Sequence, residues 1–251
     1  MRRANEDALV ILEVGEESSR VLQAEGIGTI HERGLVAAVA DGMGGVRGGA
    51  FASSKLQEAL TNLIAKKQYD EPHPTKLHSL VNEINFDILD YAENDPGLFG
   101  MGTTMTMAWL KSGTLNLVNV GDSRLYRLKE GKFEQLSKDQ SYVGKLLREG
   151  QITAAEAREH PERNVIDQAV GSHPEGVLPD ISTFSYQVGD LFLICSDGLN
   201  EELTDEQMAN VLVRRQSGSL MDSAKLLVES ALVAGGRDNV SVVLLEILPP
   251  E

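Results

Sequence analysis

Five short stretches of the chain place carboxylates where they could do chemistry. Asp41-Gly42, Gly121-Asp122 and Asp197-Gly198 each stand at the end of an apolar run or at the turn that follows it. Asp238-Asn239 and Glu6-Asp7 each stand just before one. An apolar run that stops at a polar residue beside glycine is how a buried strand delivers a side chain to its tip. Singly, each Asp-Gly is what a turn requires. Together, aspartates in one shared strand-end setting predict that five or six carboxylates meet, provided the strand ends converge on one edge of the fold. Uncompensated, such a cluster repels itself. Hard divalent cations remove the repulsion, and all-oxygen ligation selects magnesium or manganese over zinc.

The elements that must position these acids follow from periodicity. Ala8–Val14 reads as a strand, and so does Gly34–Ala40, which runs into Asp41 and a glycine-rich turn holding Gly42, Gly44, Gly45, Gly48 and Gly49. Leu56, Leu60, Leu63 and Ile64 then recur at helical spacing, which predicts an amphipathic helix over about residues 47–67. A second helix carries Leu77, Leu80, Val81, Ile84, Ile88 and Tyr91 on one face and stops at Asn94-Asp95-Pro96-Gly97. Strands return at 103–110, 114–120, 124–128 and 132–136, separated by short turns, and read as an antiparallel meander. Residues 137–179 mix charges, turn residues and short helical patches and read as an insertion over a sheet edge. Strands at 181–187 and 190–195 follow. Thr204 is placed to cap a helix to about Arg214, a last helix ends at Gly235-Gly236, and a strand over 240–248 closes the chain. This order lacks the alternation of a doubly wound sheet. It fits an α+β fold of two packed antiparallel sheets with helix pairs outside, a single domain over residues 1–251 with a flap at about 137–180.

Composition narrows the function. The 251 residues carry 23 basic and 38 acidic side chains, a formal net charge of −15. That disfavours nucleic acid and anionic membrane as partners, and with them a two-metal nuclease. Aromatic residues are only 5% of the chain, too few for base-stacking platforms. Cys195 is the single cysteine, so no internal disulfide or thiolate zinc site can form, and a reducing cytoplasmic setting is expected. No apolar run approaches the roughly 18 residues of a membrane span. The start, MRRANEDALVI, lacks the apolar stretch of a signal peptide. Ser53, Ser54 and the other hydroxyls show no Ser-His-Asp pattern. The acids Glu201, Glu202, Asp205 and Glu206 read as a solvated helix start, Trp109 as core, and Cys195 as a small buried residue at a strand end.

Six motifs occur in order: Arg2-Arg3-Ala4-Asn5-Glu6-Asp7, Val39-Ala40-Asp41-Gly42-Met43-Gly44-Gly45, Gly102-Thr103-Thr104, Val120-Gly121-Asp122-Ser123-Arg124, Cys195-Ser196-Asp197-Gly198-Leu199 and Gly236-Arg237-Asp238-Asn239-Val240. The insertion adds Leu136-Ser137-Lys138-Asp139, Gly150-Gln151-Ile152-Thr153 and His160-Pro161-Glu162-Arg163-Asn164. In these motifs, which span essentially the whole chain, the sequence resembles the bacterial metal-dependent protein serine/threonine phosphatases of the type 2C class. The resemblance implies a four-layer α-β-β-α sandwich and hydrolysis of phosphoserine and phosphothreonine in proteins. It assigns Asp41 as the carboxylate bridging two Mn2+ or Mg2+ ions, with the Gly42 carbonyl on one of them. Asp197 and Asp238 would hold the first ion, and Glu6 would reach the second through a water. Asp122, with Asp197, would hold a third and weaker ion. The two core ions would sit about 4 Å apart and activate a shared hydroxide for in-line attack on phosphorus, without a covalent phospho-enzyme. Arg2 would grip the phosphate with its planar guanidinium; Arg3 reads as a solvated neighbour. Asp7, Thr103, Thr104 and Asn239 would orient the ligands and their waters.

The resemblance further implies a phosphorylated protein as partner and a signalling role, either opposing a bacterial Ser/Thr kinase or resetting a partner-switch regulator. A monomer is expected. A catalytically weak phosphoprotein-binding regulator on the same fold is the alternative, but such a protein should have lost metal aspartates, and here all four stand. The chain departs from relatives in four places. Relatives usually carry a strand before the arginine motif, whereas this sequence starts at Met1-Arg2; whether the start is trimmed or the strand absent, a less protected sheet edge is expected. Met43 stands where some eukaryotic relatives have a histidine proposed as general acid, and methionine cannot donate a proton. Gln140 stands where histidine is frequent, and Asp167-Gln168 where Thr-Arg is frequent. These flap changes are expected to alter flap contacts more than metal chemistry.

Overall fold

A computed structural model describes residues 4–16, 18–22, 26–65, 69–214 and 219–249. Along the chain lie β1 (Asp7–Val14), β2 (Ser19–Val21), β3 (Leu35–Met43), α1 (Gly45–Ala65), α2 (Pro74–Asn94), β4 (Gly102–Thr103), β5 (Met105–Lys111), β6 (Thr114–Val120), β7 (Arg124–Lys129) and β8 (Lys132–Gln135). They are followed by α3 (Tyr142–Arg148), α4 (Ala154–Glu159), β9 (Asp180–Ser185), β10 (Leu191–Cys195), α5 (Asp197–Asn200), α6 (Asp205–Val213), α7 (Leu220–Ala234) and β11 (Val242–Glu246).

Two antiparallel sheets form the centre. One has the order β2-β1-β3-β5-β6-β9 with β4 paired to the end of β3; the other runs β11-β10-β7-β8. Helices α1 and α2 cover the first sheet, and α6 and α7 cover the second. The four layers of the α-β-β-α sandwich are therefore present. The reason is visible in β3. Val36, Ala38 and Ala40 point to the core under α1 and α2, whereas Leu35, Ala37 and Val39 point to the core between the sheets. A strand buried on both faces reads as a continuous apolar run, not an alternating one. β10 repeats the pattern, with Phe192 and Ile194 between the sheets and Leu191, Leu193 and Cys195 toward α6 and α7.

The continuous meander expected for residues 103–136 is corrected by the structure. β5 and β6 pair in the first sheet, and β7 and β8 pair in the second. The chain crosses between sheets at Gly121-Asp122-Ser123. Ser123 carries the crossing through its hydroxyl, which meets Thr104 Oγ1 at 2.8 Å, while its carbonyl accepts from Thr106 Oγ1 at 2.9 Å. Residues 137–179, the expected flap, hold α3 and α4, capped by Ser141 and Thr153. Its later part packs on α2, where Asn85 accepts from the Gly171 amide at 2.8 Å and donates to the His173 carbonyl at 2.9 Å. Among the described residues, no helix is long and apolar enough to cross a membrane.

Candidate metal centre

The centre is built from both sheets. β1 and β3 pair so that Asp7 lies directly opposite Asp41. Asp197 opens α5 immediately after β10, and Asp238-Asn239 lie just before β11, the neighbour of β10. Asp7 and Asp197 both lie near enough to Asp41 for their charges to act on it.

The backbone of Asp41 is fixed by the β4 turn. Its amide donates to Thr104 Oγ1 at 2.9 Å, and its carbonyl accepts from Thr103 Oγ1 at 2.9 Å and from the Thr104 amide at 2.8 Å. Gly42 is glycine because α1 lies on top of it. A Cβ there would overlap the Gly49 carbonyl and come 2.7 Å from the Glu6 carbonyl oxygen. A Cβ at Gly49 would in turn meet the Gly42 carbonyl at 2.7 Å and Glu6 Oε2 at 3.0 Å. The Gly42 carbonyl and the Glu6 carboxylate thus border the same small space. Glu6 is buried, 2% exposed. Its amide donates to Asn239 Oδ1 at 2.9 Å, and its carbonyl accepts from Ser53 Oγ at 2.6 Å and from the Gly42 amide at 3.1 Å. Asn239 also donates to the Ala4 carbonyl at 3.1 Å, and its own amide donates to Asp238 Oδ1 at 2.7 Å. One side chain therefore ties the Glu6 segment to the Asp238 segment. On the opposite side, a Cβ at Gly198 would overlap the Asn239 carbonyl oxygen, so the Asp197 and Asp238 segments touch backbone to backbone.

The electrostatics follow from burying like charges together. Burial, and then the charges of Asp197 and Asp7, hold the Asp41 carboxyl well above the usual carboxylate range. Burial raises Asp197 to about 6, with Glu201, Asp238 and Asp7 adding to it and the Asp41 contact opposing. Burial also raises Asp7, opposed by hydroxyl contacts from Ser241 and Ser196; the Ser196 hydroxyl donates to Asp7 Oδ2 at 2.8 Å. Asp122 is raised by burial and by Asp197 and Asp139, against the pull of Arg124. Arg124 itself forms a fork onto Asp139, with contacts of 2.6 to 3.0 Å.

These residues fit a divalent cation. Asp7 Oδ1 and Asp197 Oδ1 are buried with no hydrogen-bond partner among the described residues. The donor set is carboxylate and carbonyl oxygen throughout, which suits a hard ion. Among the described residues no three acidic, His or Cys side chains stand as a preformed cage.

Among the expected site residues, the structure groups Glu6, Asp7, Asp41, Gly42, Thr103, Thr104, Asp197, Asp238 and Asn239 around one end of the sandwich, with Asp122 at the nearby sheet crossing. Arg2 and Arg3 lie outside the described residues. Two supports were not foreseen. Ser196 links Asp7 to β11, since the Ser241 amide donates to its hydroxyl at 3.0 Å. Glu202, expected in a solvated helix start, has only 4% of its side chain exposed and pairs with Arg237. It accepts from the Arg237 amide at 3.2 Å and from Nε at 2.8 Å, which braces the segment carrying Asp238. A carboxylate 35 residues away in sequence from its partner leaves no local signal.

Comparison with known proteins gives a consistent picture. A model of the protein phosphatase 2C family matches residues 26–233. The serine/threonine protein phosphatase PstP of Mycobacterium tuberculosis is 36% identical over 243 residues, covering 95% of this chain and 46% of PstP. The chain therefore spans about half the length of that relative. The serine/threonine phosphatase stp of Listeria welshimeri is 37% identical over 214 residues, 83% of this chain and 82% of that protein. Among solved structures, M. tuberculosis PstP/Ppp superposes with a TM-score of 0.80 at 34% identity, covering 99% of this chain and 94% of that one. The catalytic domain of PstP in complex with two manganese ions gives 0.77 at 33% identity, again over 99% and 94%. With the sandwich in place and the family match covering most of its length, the chain belongs to the protein phosphatase 2C family.

Proposed function

We propose that this protein is a metal-dependent protein phosphatase that hydrolyses phosphoserine and phosphothreonine. The observation that carries the reading is that Asp7 lies opposite Asp41 in the β1–β3 pairing while Asp7 Oδ1 and Asp197 Oδ1 are buried beside it, without a hydrogen-bond partner among the described residues, at the junction of the two sheets. Two core ions, Mn2+ or Mg2+, would be held by Asp41, the Gly42 carbonyl, Asp197, Asp238 and Glu6, with Asp122 contributing to a third. Such ions supply Lewis acidity and a water of lowered pKa. The structure of the PstP catalytic domain in complex with two manganese ions supports the ion class.

The protein's own part is to hold like charges together and deliver them to one place. Thr103 and Thr104 fix Asp41, Asn239 aligns Glu6 with Asp238, and Ser196 orients Asp7. Water is the nucleophile, with no covalent phospho-enzyme. Cys195 does not offer a competing route, because it is fully buried and its thiol is pushed up to about 12. Met43, at the end of β3, brings no proton to the leaving alkoxide. Arg2 would grip the phosphate. The partner is a phosphorylated protein, and the role is to oppose a bacterial Ser/Thr kinase or reset a partner-switch, from the cytoplasm and as a monomer. The names of the relatives support the substrate class.

The test is hydrolysis of p-nitrophenyl phosphate and of a phosphothreonine peptide. Activity is expected with manganese or magnesium, none in chelator, and a loss of more than about 100-fold in Asp41→Asn. Full activity in chelator, or tight peptide binding with no hydrolysis under any metal, would remove this reading; the second result would favour the binding regulator.

A further inference from the structure

Gln140 and Gln168 meet on the backbone of one residue. Gln140 Nε2 donates to the Leu178 carbonyl at 2.8 Å, and the Leu178 amide donates to Gln168 Oε1 at 3.0 Å. The two glutamines thus engage both backbone polar groups of Leu178, as a neighbouring strand would, although Leu178 belongs to no strand and is 69% exposed. Gln140 does more. Its carbonyl accepts from the Asp167 amide at 2.7 Å, which fixes the middle of the flap. Its amide donates to the Gly121 carbonyl at 2.8 Å, and its Oε1 accepts from the Gly121 amide at 3.1 Å.

Gly121 immediately precedes Asp122 in the crossing between sheets. Its φ is +95°, and a Cβ would come 2.7 Å from Thr104 Cγ2. Thr104 is the residue whose hydroxyl receives the Asp41 amide. The Gly121 peptide is therefore gripped between the Asp41 support on one side and Gln140 on the other. Gln168 reaches the flap only.

We propose that Gln140 is a positioning residue for the Asp122 carboxylate and that, with Gln168, it tethers the flap to the Asp122 turn. This rests on the reading of Asp122 as ligand to a third divalent ion. The assignment separates the two glutamines. Gln140 sets both flap and Asp122, and Gln168 sets the flap alone. Removing a group that orients a metal ligand commonly costs 10- to 100-fold in affinity for the ion.

The experiment uses the full chain as wild type, Gln140→Met, Gln168→Met and Asp122→Ala. Amide exchange is followed by mass spectrometry, and manganese alone is titrated by calorimetry. In Gln140→Met we expect faster exchange in the peptide covering Gly121, whose amide loses its side-chain acceptor, and about tenfold weaker binding of the weakest manganese, with the tighter ions unchanged. Gln168→Met should speed exchange at Leu178 only and leave every manganese affinity at wild type. On phosphopeptide, Gln168→Met should raise KM without lowering kcat, whereas Gln140→Met lowers kcat as well. Unchanged exchange at Gly121 in Gln140→Met, or equal loss of manganese affinity in both glutamine variants, would overturn the proposal. Wild-type manganese binding in Asp122→Ala would overturn the ligand reading beneath it, while the exchange data would still decide whether the tether exists.

Discussion

Replacing Asp197 by asparagine should make the metal-free protein more stable while destroying its metal site. In the fold, burial lifts the Asp197 carboxyl from 3.8 to about 6, with Glu201, Asp238 and Asp7 adding to the rise and Asp41 opposing it. The folded state therefore keeps a proton that the unfolded chain has released between those two values. Stability then falls as pH rises through that window. The penalty is absent below pH about 4 and complete above about 6. A shift of about 2 units at 1.36 kcal/mol each is about 3 kcal/mol. Asparagine escapes that penalty and still presents an oxygen to the Asp41 carboxyl. It loses the favourable placement of a negative charge in the first turn of α5, worth up to about 1 kcal/mol. The net is about 2 kcal/mol in favour of Asp197→Asn at pH 7.5 in chelator, or about 4 to 8 °C in melting temperature for a chain of this size. The assay is thermal melting of both proteins in chelator at pH 7.5 and at pH 4, and then in manganese at pH 7.5. At pH 4 the advantage should vanish. In manganese the wild type should gain far more than the variant, because ligand binding stabilises only the chain that binds. A variant that melts at or below wild type in chelator at pH 7.5, or an advantage that persists undiminished at pH 4, would refute the argument that repulsion among these acids is held in the fold.

Two further substitutions probe the packing that delivers the acids. In Gly198→Ala the new methyl overlaps the Asn239 carbonyl, so the Asp197 and Asp238 segments must part; overpacking of this kind costs about 1–3 kcal/mol, read as a lower melting temperature together with weaker manganese binding. Thr104→Val leaves the buried Asp41 amide and the Ser123 hydroxyl without their partner; a loss of about 1–3 kcal/mol is expected, and activity should fall further than in Thr61→Val, whose hydroxyl only meets its own helix at the Gln57 carbonyl.

The sequence exposed the strand-tip acids because each is a local event: an apolar run, an acid, and a residue that permits a turn. It also exposed α2, whose end is marked by Asn94 and Pro96, and α6, capped by Thr204 with Gln207 completing the box. The rest depends on which strand sits beside which. The turn at Gly121-Asp122 looks the same in sequence whether the chain folds back within a sheet or crosses to another, so the meander was legible only as strands. α5 has four residues, too few for a period. Gly42 and Gly198 are required by backbone from far along the chain, at Gly49 and Asn239, and not by the turns they sit in. Glu202 could not be told from its exposed neighbours without the position of Arg237.

The acids come from both halves of the sandwich: Asp7 and Asp41 from the tips of one sheet, Asp197 and Asp238 from the ends of strands in the other. Their mutual repulsion is therefore directed across the interface, as a wedge that pushes the two sheets apart at one end. In the proposed reading, a cation shared by Asp41 of one sheet and Asp197 and Asp238 of the other would reverse that force and act as a rivet. Chelation should then restore the wedge, so the metal-free protein is expected to loosen first at this end of the sandwich.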